Sequence, residues 1–512
     1  MPVERLPRLS DRASGVLLHP TSLPGGRSGA DGKDAGGDLG PAAHRFVDFL
    51  AAAGQRWWQM LPIGPTGYGN SPYSALSAFA GSPALVSTDR LVDDGLLSRG
   101  DRHKPRDLQL QAAFAAFRAG GGHPDHDAFA AGAAGWLDDF ALFDALKRAH
   151  GGVQWTRWPA GLRDRHPGAL AEARAELADG IAFARFVQWR FARDWRLLRS
   201  YAHERGIGLI GDIPIFMAHD SADVWRDRDL YTLGHAGEAV YVAGVPPDYF
   251  SSTGQRWGNP LYRWARMRKT GYAWWIERFR ATLAAFDVVR LDHFIGFCRY
   301  WMIPGSEPTA VRGRWRPGPG AGFFTALQAA LGGELPLIAE DLGVVTPAVR
   351  ALRDDFGLPG IKIFQFAFGT DPNAPDFLPH NYTRNAVVYT GTHDNDTVVG
   401  WFTDAGSGTR SADQTEVERQ NVLRYLGHEH PTHADARDIH WQMIRAVLAS
   451  VANVAILPAQ DLLGLGSEAR MNSPGTAEGN WAFRVAPGAL SDAIAHRLRA
   501  LCETYDRVRT SA

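Results

Sequence analysis

The sequence predicts an α/β chain folded as a (β/α)8 TIM barrel with large inserted subdomains between strands. Eight short apolar runs are continuous rather than alternating, which suits strands buried on both faces of a parallel sheet. Segments with apolar residues at helical spacing lie between them. Acidic residues stand where several runs end, and in a parallel barrel those ends open on one face that carries the chemistry.

The first run is 15–19 (GVLLH), followed by a helical pattern at 42–53. The second is 56–61 (RWWQML). The stretch 62–205 after it is too long for a simple crossover and holds helical patterns at 112–119, 136–147 and 181–203, the last returning the chain to the barrel. The third run is 206–213 (GIGLIGDI). Residues 218–275 then include 241–264 (YVAGVPPDYFSSTGQRWGNPLYRW), rich in Gly, Pro and aromatics and without periodicity. Long loops of this kind are more often functional than not. Helical patterns at 274–285, 323–331, 346–356 and 441–452 alternate with the remaining runs, at 286–292, 335–341, 361–366, 386–394 and 454–460. The expected division is a barrel of residues 1–61, 206–217 and 276–512, a mainly helical insertion of 62–205 that includes the return helix, and a loop-rich insertion of 218–275. Residues 25–40 are rich in Gly and Asp and read as a surface loop; Asp31, Asp34 and Asp38 hint at cation binding, but their spacing is not that of an EF-hand loop.

Composition narrows the function classes. The chain has 512 residues, 54 Lys plus Arg against 55 Asp plus Glu, and a net charge of −1. That balance argues against nucleic acid as the main partner and gives no attraction to an anionic membrane. No window approaches the ~18 unbroken apolar residues of a spanning helix. The N-terminal MPVERLPRLSDRASG lacks the apolar core of a secretory signal. Two cysteines, Cys298 and Cys502, make neither a disulfide framework nor a zinc ribbon. A cytoplasmic protein is expected. Aromatics make up 11% of the chain, including 17 Trp, a residue that stacks on sugar rings as well as filling cores.

Asp292 closes FDVVRLD, Glu340 and Asp341 close LPLIAED, and Asp394 closes AVVYTGTHD. A lone Asp after a strand commonly caps the next helix. Several such sites with cationic companions point to chemistry instead. Arg290 lies two residues before Asp292, on the same face of a strand, where a guanidinium favours the ionised carboxylate that a nucleophile needs. His393 adjoins Asp394. Carboxylates acting without a metal suit glycoside cleavage with retention. The rival chemistry, metal-assisted hydrolysis, needs several ligands at metal distances. A Walker-type phosphate loop and a Ser-centred nucleophile elbow are both absent from the sequence.

Seven segments in order carry a denser signal: 69–83 (GNSPYSALSAFAGSP), 211–225 (GDIPIFMAHDSADVW), 246–264, 289–296 (VRLDHFIG), 338–343 (IAEDLG), 391–401 (GTHDNDTVVGW) and 472–481 (NSPGTAEGNW). With them the chain, from His19 to Val485, resembles the 4-α-glucanotransferases (amylomaltases, or disproportionating enzymes) of glycoside hydrolase family 77, in the α-amylase clan. The resemblance implies transfer of an α-1,4-glucan segment to the 4-OH of another glucan or of glucose, by a retaining double displacement through a covalent glucosyl-enzyme. The alternative is an α-1,4-glucan hydrolase of the same clan. By motif, Asp292 resembles the nucleophile, Glu340 the general acid/base and Asp394 the transition-state stabiliser. Arg290 and His393 resemble the companions that position nucleophile and sugar, and Asp212 a contact to that sugar or its neighbour. Tyr73 resembles an aromatic platform on the donor side. Tyr249, Phe250, Gln255 and Trp257 resemble a loop covering the acceptor side. The implied substrates are maltooligosaccharides, amylose or glycogen-derived glucans, handled by a monomer or small homo-oligomer with no metal and no organic cofactor. One departure is visible: LPGG is followed by RSGADGKDAGG before DLG, lengthening a run that is short in the family.

Overall fold

A computed structural model describes residues 5–25, 36–247, 251–406, 411–429, 436–476 and 478–508. In chain order its strands are β1 (Ala13–Leu17), β2 (Trp57–Gln59), β3 (Gly208–Ile213), β4 (Tyr241–Val245), β5 (Gln255–Pro260), β6 (Val288–Leu291), β7 (Arg299–Pro304), β8 (Arg314–Pro317), β9 (Leu337–Ala339), β10 (Gly360–Ile363), β11 (Ala386–Tyr389) and β12 (Val454–Pro458). Eight of them close a barrel in the order β1-β12-β11-β10-β9-β6-β3-β2. Every pairing around it is parallel. Each of the eight apolar runs overlaps one barrel strand, because a strand covered on both faces has no polar side to interrupt the run.

The two faces can nevertheless be told apart by what they touch. An inner cluster takes Ala13, Trp57, Ile210, Val288, Ile338, Ile361, Val387 and Val454, from all eight barrel strands. Their neighbours Leu209, Val289, Leu337 and Val388 belong to the larger cluster under the helices. Period-two alternation then assigns the polar residues at the strand ends to a face. On β6, Val288 points inward, so Arg290 and the next residue but one, Asp292, do as well. On β9, Ile338 points inward, hence Glu340 too, while Asp341 turns out. Gly211 has room for no side chain: a Cβ there would lie 2.4 Å from the Phe286 ring. That close contact seats the strand carrying Asp212.

The helices Pro41–Ala52, Ala178–Glu204, Ala273–Ala285, Ala321–Leu331, Pro347–Asp355 and Ile439–Ala449 overlap the predicted helical patterns. Within 62–205, Arg106–Ala119 and Ala134–Ala149 are helical. A separate apolar cluster around Leu91, Leu110, Phe117, Phe186 and Trp189 packs part of this region against helix Ala178–Glu204. Each such fully buried large side chain stabilises by about 1.5–3 kcal/mol. Among the described residues no helix is long and apolar enough to cross a membrane.

Two sequence expectations are corrected. Residues 241–264, which lack periodicity, are expected to be loop, yet β4 and β5 belong to an antiparallel sheet of order β5-β4-β7-β8. Its partner strands come from 299–317, and Trp301 pairs with Trp315 across β7 and β8 with ring centroids 5.3 Å apart. A register shift between Val242 and Gly244, together with a glycine in each strand, hides the alternation. The run at 386–394 is also shorter as a strand, ending at Tyr389. There the Thr390 hydroxyl turns to Asp461 at 2.5 Å, and Asn395 accepts from both the Thr392 N–H and its hydroxyl at 2.9 Å, which makes a turn.

Candidate active site

Three neighbouring strands, β3, β6 and β9, deliver the central groups. In register, Asp212 stands beside Arg290 and Leu291 beside Ala339. Arg290 Nη1 donates to Asp212 Oδ2 at 2.8 Å and to Asp292 Oδ1 at 2.9 Å. The Tyr73 hydroxyl donates to the same Asp212 oxygen at 2.8 Å. Glu340 lies one strand further on. Its Oε2 accepts the His293 N–H at 2.7 Å and its Oε1 the Leu342 N–H at 3.3 Å.

Electrostatics separate these carboxyls. Burial drives the Glu340 carboxyl well above the usual carboxylate range, and the neighbouring Asp292 charge adds to this against the opposing pull of Arg290. Asp212 is raised too, again chiefly by burial. Its Oδ1 is buried with no hydrogen-bond partner among the described residues. The Arg290 guanidinium stays cationic, held by Asp212, Tyr73, Asp292 and Glu340 against the cost of its own burial.

The far wall comes from the loop after β11. Tyr73 stacks on His393 with centroids 5.1 Å apart at 17°. His393 Nε2 lies 3.3 Å from Asp394 Oδ1. Burial lowers the His393 pKa, which keeps the ring neutral. The Tyr73 hydroxyl feels Asp212, Arg290, Asp292 and Asp394 together, so these groups surround one space. The carboxylates therefore converge as the strand-end argument requires. On the remaining side, Trp257 of β5 is 38% exposed and meets the His293 ring edge to face at 4.9 Å. Gln255 Oε1 accepts the Trp257 indole N–H at 3.1 Å. Tyr249 and Phe250 lie outside the described residues, as do Asp31 and Asp34.

Asp341 takes no part. It faces outward, accepting from Arg353 at 2.5 Å and from the Ile361 N–H at 2.9 Å. Sequence reasoning missed several neighbours. Asn472 Nδ2 donates to Asp394 Oδ1 at 2.6 Å, and its N–H donates to the His393 carbonyl at 3.1 Å. Trp481 lies 6.0 Å from both Tyr73 and His393. His293 joins the acid side to Trp257. Asn472 and Trp481 bound the segment 472–481, to which the resemblance assigns no role. A His-x-His pair, His428 and His430, was missed as well. His428 is bonded to Gln442, and His430 lies outside the described residues. Among the described residues no group of three or more His, Cys, Asp or Glu could hold a metal ion.

A family model described as 4-alpha-glucanotransferase matches residues 18–490. The chain is 48% identical over 514 residues to a 4-alpha-glucanotransferase of Thermus thermophilus, covering 97% of this chain and 99% of that protein. It is 47% identical over 520 residues to one from Synechocystis, covering 98% and 99%. In structure it is similar to amylomaltase from Streptococcus agalactiae in complex with acarbose, with a TM-score of 0.88 and 34% identity over 97% of this chain and 100% of that one.

Proposed function

The chain belongs to the 4-alpha-glucanotransferase family and is an enzyme that transfers α-1,4-glucan segments between glucans; on that premise we propose which of its residues carry the reaction. Asp292 attacks C1 of the donor while Glu340 gives a proton to the departing oxygen. The C1–O bond breaks, a β-glucosyl ester forms on Asp292, and the shortened glucan leaves. The 4-OH of a second glucan then attacks C1. Glu340 takes the proton back and Asp292 departs, so configuration is retained. Asp394, oriented by Asn472 and His393, binds sugar hydroxyls more tightly as the ring flattens, which favours the transition state over the ground state. Asp212, with one oxygen committed to Tyr73 and Arg290 and the other unpartnered, is placed to accept from a sugar hydroxyl. Maltooligosaccharides, amylose and glycogen-derived glucans are the proposed substrates, in a cytoplasm whose reducing conditions suit two free thiols, Cys298 and Cys502.

The observation that carries this assignment is the contrast between two adjacent carboxyls. Asp292 is bonded to a buried guanidinium, whereas Glu340 is buried beside the Asp292 charge and receives only backbone N–H groups. The acid must hold its proton when the bond breaks. Transfer activity on maltotriose is therefore expected to persist as pH rises and to fall as Glu340 ionises, at about 8. A limb near the ordinary glutamate value of 4.5 would remove Glu340 from the acid's role.

Water is the competing acceptor in excess. A sugar wins only if it is bound and oriented in a site that excludes solvent. Trp257, on the rim beside His293, is the side chain placed to do this. Trp257→Ala is expected to raise the ratio of hydrolysis to transfer roughly fivefold or more, measured as glucose and reducing ends released against longer glucans formed. An unchanged ratio with lower total turnover would make Trp257 a packing residue only.

A further inference from the structure

We propose that His293 is a positioning residue for transfer: one left-handed residue offers its N–H to Glu340 and its ring to Trp257, and so ties the acid/base to the acceptor-side wall. The inference rests on the roles proposed above for those two residues. His293 has φ of 49°, a region that L-residues with bulky side chains rarely adopt. The backbone around it is fixed at both ends. The Phe294 N–H donates to the Glu340 carbonyl at 3.0 Å, and the Gly296 N–H donates to the His293 carbonyl at 2.9 Å. That turn points the His293 N–H at Glu340 Oε2 at 2.7 Å, much shorter than the 3.3 Å bond to Oε1. A protonated oxygen accepts poorly, so the transferable proton belongs on Oε1 while His293 holds Oε2 in place.

The ring is held by shape rather than by hydrogen bonds. Its Nε2 is buried without a partner among the described residues. Burial keeps it neutral, with a pKa of about 4 despite the Asp292 charge, so it is no acid or base near neutrality. Trp257 covers it edge to face, and a Cβ at Gly296 would come within 3.1 Å of its Cδ2. Displacement of Trp257 would thus bear on the residue that fixes Glu340. The charged and titratable groups whose fields reach Glu340 are Arg290, Asp292 and Tyr389 on its own side and the outward-turned Asp341 behind it. None of these is altered by a substitution at position 293.

Two variants separate ring from backbone. His293→Asn removes the ring but suits the left-handed region. It should lower the ratio of transfer to hydrolysis about threefold or more, with the basic limb of the maltotriose pH profile unmoved. His293→Val disfavours that backbone. Losing an N–H that stabilises the carboxylate raises the Glu340 pKa, so the basic limb should move up by about half a pH unit or more, and the ratio should fall as well. An unchanged ratio in His293→Asn overturns the proposal, as does a folded His293→Val whose limb stays in place. If the Val variant fails to fold, the ratio in His293→Asn decides. Glu340→Gln is the control: if it transfers normally, the role of Glu340 fails whatever the His293 variants do.

Discussion

Asp292→Asn is expected to reduce the ladder of longer glucans formed from maltotriose by about 10⁴-fold or more, while leaving the fold intact. An amide of nearly the same shape cannot form the glucosyl ester, so the first displacement has no nucleophile. The fold should survive because Arg290 keeps its other bond, to Asp212 at 2.8 Å, and Asp212 also keeps Tyr73. The measurement is product analysis over long incubations, with circular dichroism and the thermal midpoint as controls. On the wild type the same assay separates the two readings of the clan: a transferase makes glucose together with longer chains, a hydrolase only shorter sugars. A folded Asn variant within tenfold of wild type would mean that another group attacks C1.

Arg290→Met is expected to have the second largest effect, on stability and turnover together. Arg290 is 5% exposed, and one of its nitrogens serves two carboxylates. Removing one partner of such a buried set typically costs about 3–5 kcal/mol, because the remaining charges lose their counter-ion in a poorly solvated place. Part of that cost should be relieved by protonation of Asp212, whose carboxyl already sits well above its ordinary value. Turnover should fall by about 10²-fold or more, since Asp292 loses the group that orients it. Thermal unfolding at two pH values reads the first effect: destabilisation should be smaller at acidic pH, where Asp212 protonates more readily. A variant as stable as the parent at neutral pH would show that the cation does not balance these acids.

Much of this site was legible in the sequence because barrel chemistry is local to strand ends. The pair Arg290 and Asp292 betrays its shared face by spacing alone, two residues along a strand. Glu340 and Asp341 are a harder case. Both end one run, and only the inward placement of Ile338 separates the proposed acid from the outward one. Asn472 could not be found this way, because its bond to Asp394 spans 78 residues and depends on how two loops meet. His293 was hidden for another reason. Its contribution is a backbone angle and an N–H, neither of which a side-chain pattern encodes. Strand β8 escaped notice because Arg and Trp alternate there on an open sheet, where no continuous apolar run is required.

Glu340 and Asp341 are gripped in opposite directions, one by the N–H groups of His293 and Leu342, the other by Arg353 and the Ile361 N–H. The odd-or-even count of residues along β9 is therefore part of the active-site specification. Deleting a single residue ahead of Glu340 would leave every acid in the chain yet put Asp341 in its inward place, bringing a carboxyl one methylene shorter to the scissile oxygen.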